Sequence, residues 1–336
     1  MAEKRRWHEI DRLRGMAILM VLLYHSIIVY PVDLHTIRWC SLLHTFLWTV
    51  QMPLFFLVSG FCYSLQGGYR VYALKKCRRI LVPHIVFSLL DILPRLIPNP
   101  LVHEQMDVRE ALVDFLLYGG SDWFLWTLFV IVMVFPALEK LLRGGRAGRF
   151  AGWLIPAVLF LAGPRLPDLF LMNMAGQYLW YFFLGYILRG LAETKKMPLP
   201  GRGVIAWTSP VFMLFFFAVF SAAAEKAWLP ARLPELLCVL CSFIFFSRLA
   251  SCCRGWIDRF LTACGKWSLQ MYLLDAYALV FTRTLLVTVL GLRAPVWVIP
   301  GNFIPDTAMV LSVSRYILAK VKLLRMLSGI PETGAR

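Results

Sequence analysis

Of the 336 residues, 60% are hydrophobic and 16% are charged, and the mean hydropathy is +0.68. A soluble chain needs a charged and mixed surface, so these values exclude a soluble globular protein and predict a polytopic membrane protein. The formal charge of +16 does not point to nucleic acid, because the basic residues recur between apolar runs and form no continuous patch or arm.

At about 20 residues per crossing, the length accommodates about ten transmembrane helices with short loops, in an all-α fold with a single membrane domain over 1–336. Lys4, Arg5 and Arg6 precede the first apolar run, as basic residues do in a secretory signal. No small-residue cleavage site follows and His25 interrupts the run, so a retained first helix is expected. That stretch reads DRLRGMAILMVLLYHS from Asp11 to Ser26. On a helix, Arg14 and His25 lie within about 20° of each other and about 16 Å apart along the axis.

Both side chains therefore face one way, with Arg14 near the headgroups and His25 in the hydrocarbon. An ionisable group there is expensive and by default functional; the alternative is a histidine hydrogen-bonded between helices for packing. Arg14 taken alone reads as an interfacial arginine that snorkels. Asp11, one turn earlier, can pair with it and fix the guanidinium for an anion.

The first span ends near Pro31 and a second, 40–65, contains QMPLFFLVSGF; Gly67 and Gly68 break it. Arg70, Lys75, Lys76, Arg78 and Arg79 follow, and a third span over 80–97 closes on PRLIPNP. The basic cluster reads first as a cytoplasmic loop. Its functional reading is a phosphate site, with Lys76 and Arg79 one turn apart on one helix face. The stretch 101–122 carries Glu104, Asp107, Glu110, Asp114 and Asp122 and is expected to be a polar loop with room for a short surface helix. Spans four to ten are placed at 123–142, 150–162, 177–188, 204–224, 233–249, 267–290 and 296–318, with Pro164 and Pro167 dividing the short fifth and sixth. There is no internal repeat.

The eight cysteines describe no disulfide framework, since most lie inside apolar runs or at ends placed in the cytoplasm. Cys238 and Cys241 have CxxC spacing without a partner pair or nearby histidines, so packed thiols are expected and no metal. Charge tests the map. With the N-terminus inside, 27 of the 35 lysines and arginines fall inside, 7 fall outside, and Arg283 lies within span nine. This asymmetry predicts an N-in, C-in protein, and the plasma (bacterial inner) membrane is its expected location.

The sequence resembles the acyltransferase 3 family of integral membrane acyltransferases. DRLRGMAILMVLLYH resembles its helix-one signature, with Asp11, Arg14, Gly15 and His25 in place. MPLFFLVSGF resembles its helix two, with Pro53, Phe55, Phe56, Ser59 and Gly60. KKCRRILVP resembles the paired arginines at the start of helix three, although Lys76 replaces the first of them. DWFLWTLF, YFFLGYIL and KWSLQMYLLDAY resemble later helices, the last with Asp275 where many relatives have histidine.

The resemblance implies a cytoplasmic acyl-CoA donor used as co-substrate, with no bound cofactor. Its phosphates would lie near Arg14, Lys76 and Arg79 and its thioester would reach toward His25. His25 then acts as a general base on an acceptor hydroxyl or forms a transient acyl-imidazole. Ser59, Trp123 and Tyr272 are candidate donors to the oxyanion. Asp275 and Arg283, eight residues apart and offset by about 80°, form a buried charge network or line the acceptor path.

The expected function is O-acyl transfer, most simply of acetyl, to a carbohydrate hydroxyl of an envelope glycan or its lipid-linked precursor. Because no soluble domain follows the apolar region, transfer is expected to finish in the membrane or at its face. Two rivals are a secondary transporter coupling protons through His25, Asp275 and Arg283, which lacks the visible repeats of that class, and an inactive membrane scaffold.

Overall fold

The computed structural model describes residues 8–96, 106–120, 122–194, 204–224 and 228–331, and among these the secondary structure is all helical, without strands. Helix α1 (His8–Ser26) and helix α2 (Arg38–Phe61) correspond to the first two predicted spans. The second ends at Phe61, short of 65. There the Tyr63 N–H donates to the Gly60 carbonyl (3.0 Å), and Gly67 and Gly68 then turn the chain at φ of 74° and 79°, values that favour glycine.

The basic segment is itself helical. Helix α3 (Gly68–Lys76) runs into a π turn over Cys77–Leu81 and then helix α4 (Val82–Arg95). Pro83 sits in the first turn of α4, where a missing N–H is tolerated. The acidic stretch carries a short helix α5 (Val108–Leu117), begun by a capping box in which the Glu110 N–H donates to the Asp107 carboxylate and the Asp107 N–H to that of Glu110. Glu104 lies outside the described residues.

Helices α6 (Trp123–Leu142), α7 (Arg146–Ala162), α8 (Met172–Thr194), α9 (Val204–Ala224) and α10 (Trp228–Cys252) come next. The connection between predicted spans eight and nine is largely helix α11 (Gly255–Lys266), because Leu261, Cys264 and Gly265 give it a face to bury. Helix α12 (Ser268–Arg283), helix α13 (Pro295–Val313) and helix α14 (Lys322–Leu327) complete the order. All eight cysteines are free thiols, with Cys238 buried.

Seven of the described helices are long and apolar enough to cross a membrane: Arg38–Phe61, Trp123–Leu142, Arg146–Arg165, Ala206–Ala224, Ala231–Cys252, Ser268–Val289 and Pro295–Leu318. They correspond to predicted spans two, four, five, seven, eight, nine and ten. The remaining three predicted spans are also helical, but more polar or shorter. Helix α1 carries Glu9, Asp11, Arg12 and Arg14, α4 has 14 residues, and α8 includes Asn173, Gln177, Tyr178 and Tyr181. On α9, Trp207 and Val211 are 67% and 68% exposed, which is what a helix facing hydrocarbon shows.

Two compact units form. The first joins Met1–Val58 to Leu188–Ser312; in it α1 packs on α10, α11 and α12, and α9 packs along α10. The second joins Ser59–Ile187 to Val313–Arg336, where α6 packs against α7, α3 and the π turn. Its core is aromatic: Phe135, Tyr181, Phe182 and Phe183 are fully buried, and Tyr63 meets Phe135 edge-on at 4.8 Å. Gly60 lies so close to the Phe182 carbonyl that no side chain fits between them.

Candidate active site

The position of α1 is fixed through its backbone. A Cβ on Gly15 would overlap the Leu261 carbonyl of α11, and one on Gly265 would overlap the Asp11 carbonyl of α1. Glycine at both crossing points lets the helices touch main chain to main chain. A clamp reinforces the crossing: the Arg12 Nε donates to Asp258 (2.6 Å) and its Nη1 to the Ala250 carbonyl (2.9 Å). The guanidinium holds the Asp258 carboxyl below the usual carboxylate range.

Arg12 is therefore the arginine that structure engages, a role sequence reasoning passed over in favour of its neighbour. Arg14 is half-buried and makes no ion pair or hydrogen bond among the described residues. Asp11 does not hold it, so the expected Asp11–Arg14 pair is not formed. Because α1 is continuous from His8 to Ser26, Arg14 and His25 keep their common face.

At the far end of α1, the His25 Nδ1 is hydrogen-bonded to the Asp275 Oδ2 of α12. The imidazole is 35% exposed while the carboxylate is 2% exposed, so the acid is sealed behind a base that can still be reached. An ionised carboxylate only accepts, so Nδ1 carries the hydrogen and the lone pair is left on Nε2. That is the arrangement of an oriented general base.

Aromatic rings surround the imidazole. Tyr24 meets His25 edge-on at 5.1 Å, stacks on His44 at 4.0 Å, and lies 5.6 Å from Trp48. His44 in turn faces His35 at 4.0 Å. Among the described residues, no group of three or more histidines, cysteines or carboxylates is arranged to hold a metal ion.

Asp275 pairs with His25 and not with Arg283, whose guanidinium lies over the Tyr30 ring at 5.6 Å. Tyr272 is half-buried on α12, three residues before Asp275. Ser59, Trp123, Lys76 and Arg79 belong to the second unit. There Lys76 sits over the Tyr72 ring at 5.4 Å, Arg79 is exposed, and Trp123 packs on Tyr178 at 5.6 Å. The π turn over Cys77–Leu81 interrupts the regular helix on which Lys76 and Arg79 were expected to share a face.

A family model described as an acyltransferase domain matches residues 7–310, nearly the whole chain. The chain belongs to the acyltransferase 3 family. With its apolar helices, this makes it a membrane acyltransferase. Comparisons with curated proteins and with solved structures found no match. The family match spans α1 and α12, so the histidine and aspartate that meet in space both lie in the acyltransferase domain.

Two features of this acyltransferase escaped the sequence reading. Asp306 in α13 is fully buried and had left a signal, an acid within an apolar run containing Pro300 and Pro305. Glu139, 5% exposed, accepts from Tyr63 (2.8 Å), Tyr186 (3.2 Å) and Arg143 (2.6 Å), and tethers α6 within the second unit. Only the spacing of Glu139 and Arg143 foretold any part of that knot.

Proposed function

We propose that this protein is an O-acyltransferase that takes an acyl group, most simply acetyl, from cytoplasmic acyl-CoA and places it on a carbohydrate hydroxyl of an envelope glycan or its lipid-linked precursor. The observation that carries the reading is the His25–Asp275 pair, a half-buried but reachable imidazole oriented by a sealed carboxylate. The acceptor O–H gives its proton to Nε2 as the oxygen attacks the thioester carbonyl, and the imidazolium is stabilised by Asp275. When the tetrahedral intermediate collapses, the C–S bond breaks and the departing thiolate takes the proton from Nε2.

Arg14 is the cation for the donor at the inner mouth of α1, because no protein carboxylate neutralises it among the described residues. Lys76 and Arg79 are assigned to the donor's phosphates on the strength of their charge and of the resemblance. Tyr272, on the same helix as Asp275, is the proposed oxyanion donor of the first unit. The charge asymmetry supports ten crossings with both termini cytoplasmic; the plasma membrane is the location this reading assigns.

The test uses purified full-length protein in detergent with acetyl-CoA and added sugars. Thiol release that depends on a sugar, together with acetyl on that sugar by mass spectrometry, is the expected result. Sugar uptake into vesicles without thioester cleavage would replace this reading with the transporter.

A further inference from the structure

A second carboxyl stands behind the first. Asp306 on α13 is fully buried, and neither of its carboxyl oxygens has a hydrogen-bond partner among the described residues. Asp275 is equally buried, and its Oδ1, the oxygen not used by His25, also has no partner. The two acids interact electrostatically. One turn earlier on α13, Asn302 is fully buried with both amide atoms unpartnered, so this face of the helix is polar without being satisfied.

Two interacting buried carboxyl groups are costly to ionise together when no permanent cation compensates them. Among the described residues, the ionisable groups linked to Asp306 are Asp275 of α12, His25 of α1 beyond it, and His44 of α2, which interacts with His25. None is a permanent cation. One negative charge and one proton would suit such a pair, as in the paired carboxyls of aspartic proteases.

We propose that Asp306 is a positioning residue that shares one proton with Asp275, so that the pair behind His25 carries one negative charge at neutral pH. Donating from Asp306 to the open Oδ1 of Asp275 keeps Oδ2 turned to the imidazole and spares the interior a second charge. The inference rests on the reading of His25 as the base, and places a positioning residue on a third helix, α13, behind the His25–Asp275 pair.

The experiment is infrared spectroscopy of the full-length protein in nanodiscs at neutral pH, paired with acyl-transfer kinetics. Wild type shows the carbonyl stretch of a neutral carboxylic acid, and Asp306→Asn loses it. Asparagine still donates a hydrogen bond, so its kcat stays within about threefold of wild type, whereas Asp306→Leu lowers kcat about tenfold or more at an unchanged KM for acyl-CoA. An unchanged acid band in Asp306→Asn, or wild-type kcat in Asp306→Leu, overturns the proposal. Should the leucine variant not fold, the asparagine spectrum decides alone. Activity in His25→Ala with the band still lost in Asp306→Asn would end the catalytic reading and leave the shared proton standing.

Discussion

At the scale of single residues, the proposed reaction turns on one nitrogen: with Nδ1 of His25 held by Asp275, Nε2 is the nitrogen left to act as the base. Removing that acid as Asp275→Asn disturbs the tautomer and leaves the imidazolium unsupported, so kcat is expected to fall about 10²-fold or more with acyl-CoA affinity unchanged. Steady-state kinetics with isothermal titration of acyl-CoA checks both parts. Arg14→Ala is expected to show the opposite division, a higher KM for acyl-CoA with a smaller change in kcat, since the proposed role of Arg14 is to meet the donor away from the reacting carbonyl.

At the scale of elements, everything asked of α1 depends on its seat against α11. Gly15→Leu forces a side chain into the Leu261 carbonyl, and because backbone is the obstacle the helices must separate. A loss of about 1–3 kcal/mol or more is expected, together with loss of activity, read as a lower Tm and reduced transfer. The clamp between Arg12 and Asp258 adds a pH dependence of known sign. Asp258 is held below its ordinary value of 3.8, so the contribution is complete above that pH and fades as pH falls through the lower value it has in the fold. Acid-melting curves of wild type and Asp258→Asn should therefore differ at neutral pH and converge in acid.

At the scale of the whole molecule, the apolar runs made most of the helices legible, because crossing a bilayer leaves a signal in composition alone. Seven of those runs are helices with the length and hydropathy to span. Helix α11 was not legible, since half of its face is polar and its partner lies 246 residues away at the Arg12–Asp258 contact. The same limit hid the dyad. His25 and Asp275 were each conspicuous as ionisable groups in apolar runs, but nothing local says that residues 250 apart meet. Asp306 and Glu139 went unread for the same reason.

Orientation belongs to this scale too. Single cysteines placed in a cysteine-free background at the 144–145 connection are expected to react with a membrane-impermeant maleimide only after the membrane is opened, and cysteines at 291–293 to react from outside in intact cells. The reverse pattern would invert the map.

The most direct test compares thiol release from acetyl-CoA in purified wild-type protein and in His25→Ala, with the sugar acceptor present and acetyl-CoA binding measured in parallel. Wild type should release thiol in proportion to acceptor, and the alanine variant should bind acetyl-CoA as tightly while releasing none above background. An alanine variant that transfers at the wild-type rate would contradict the account.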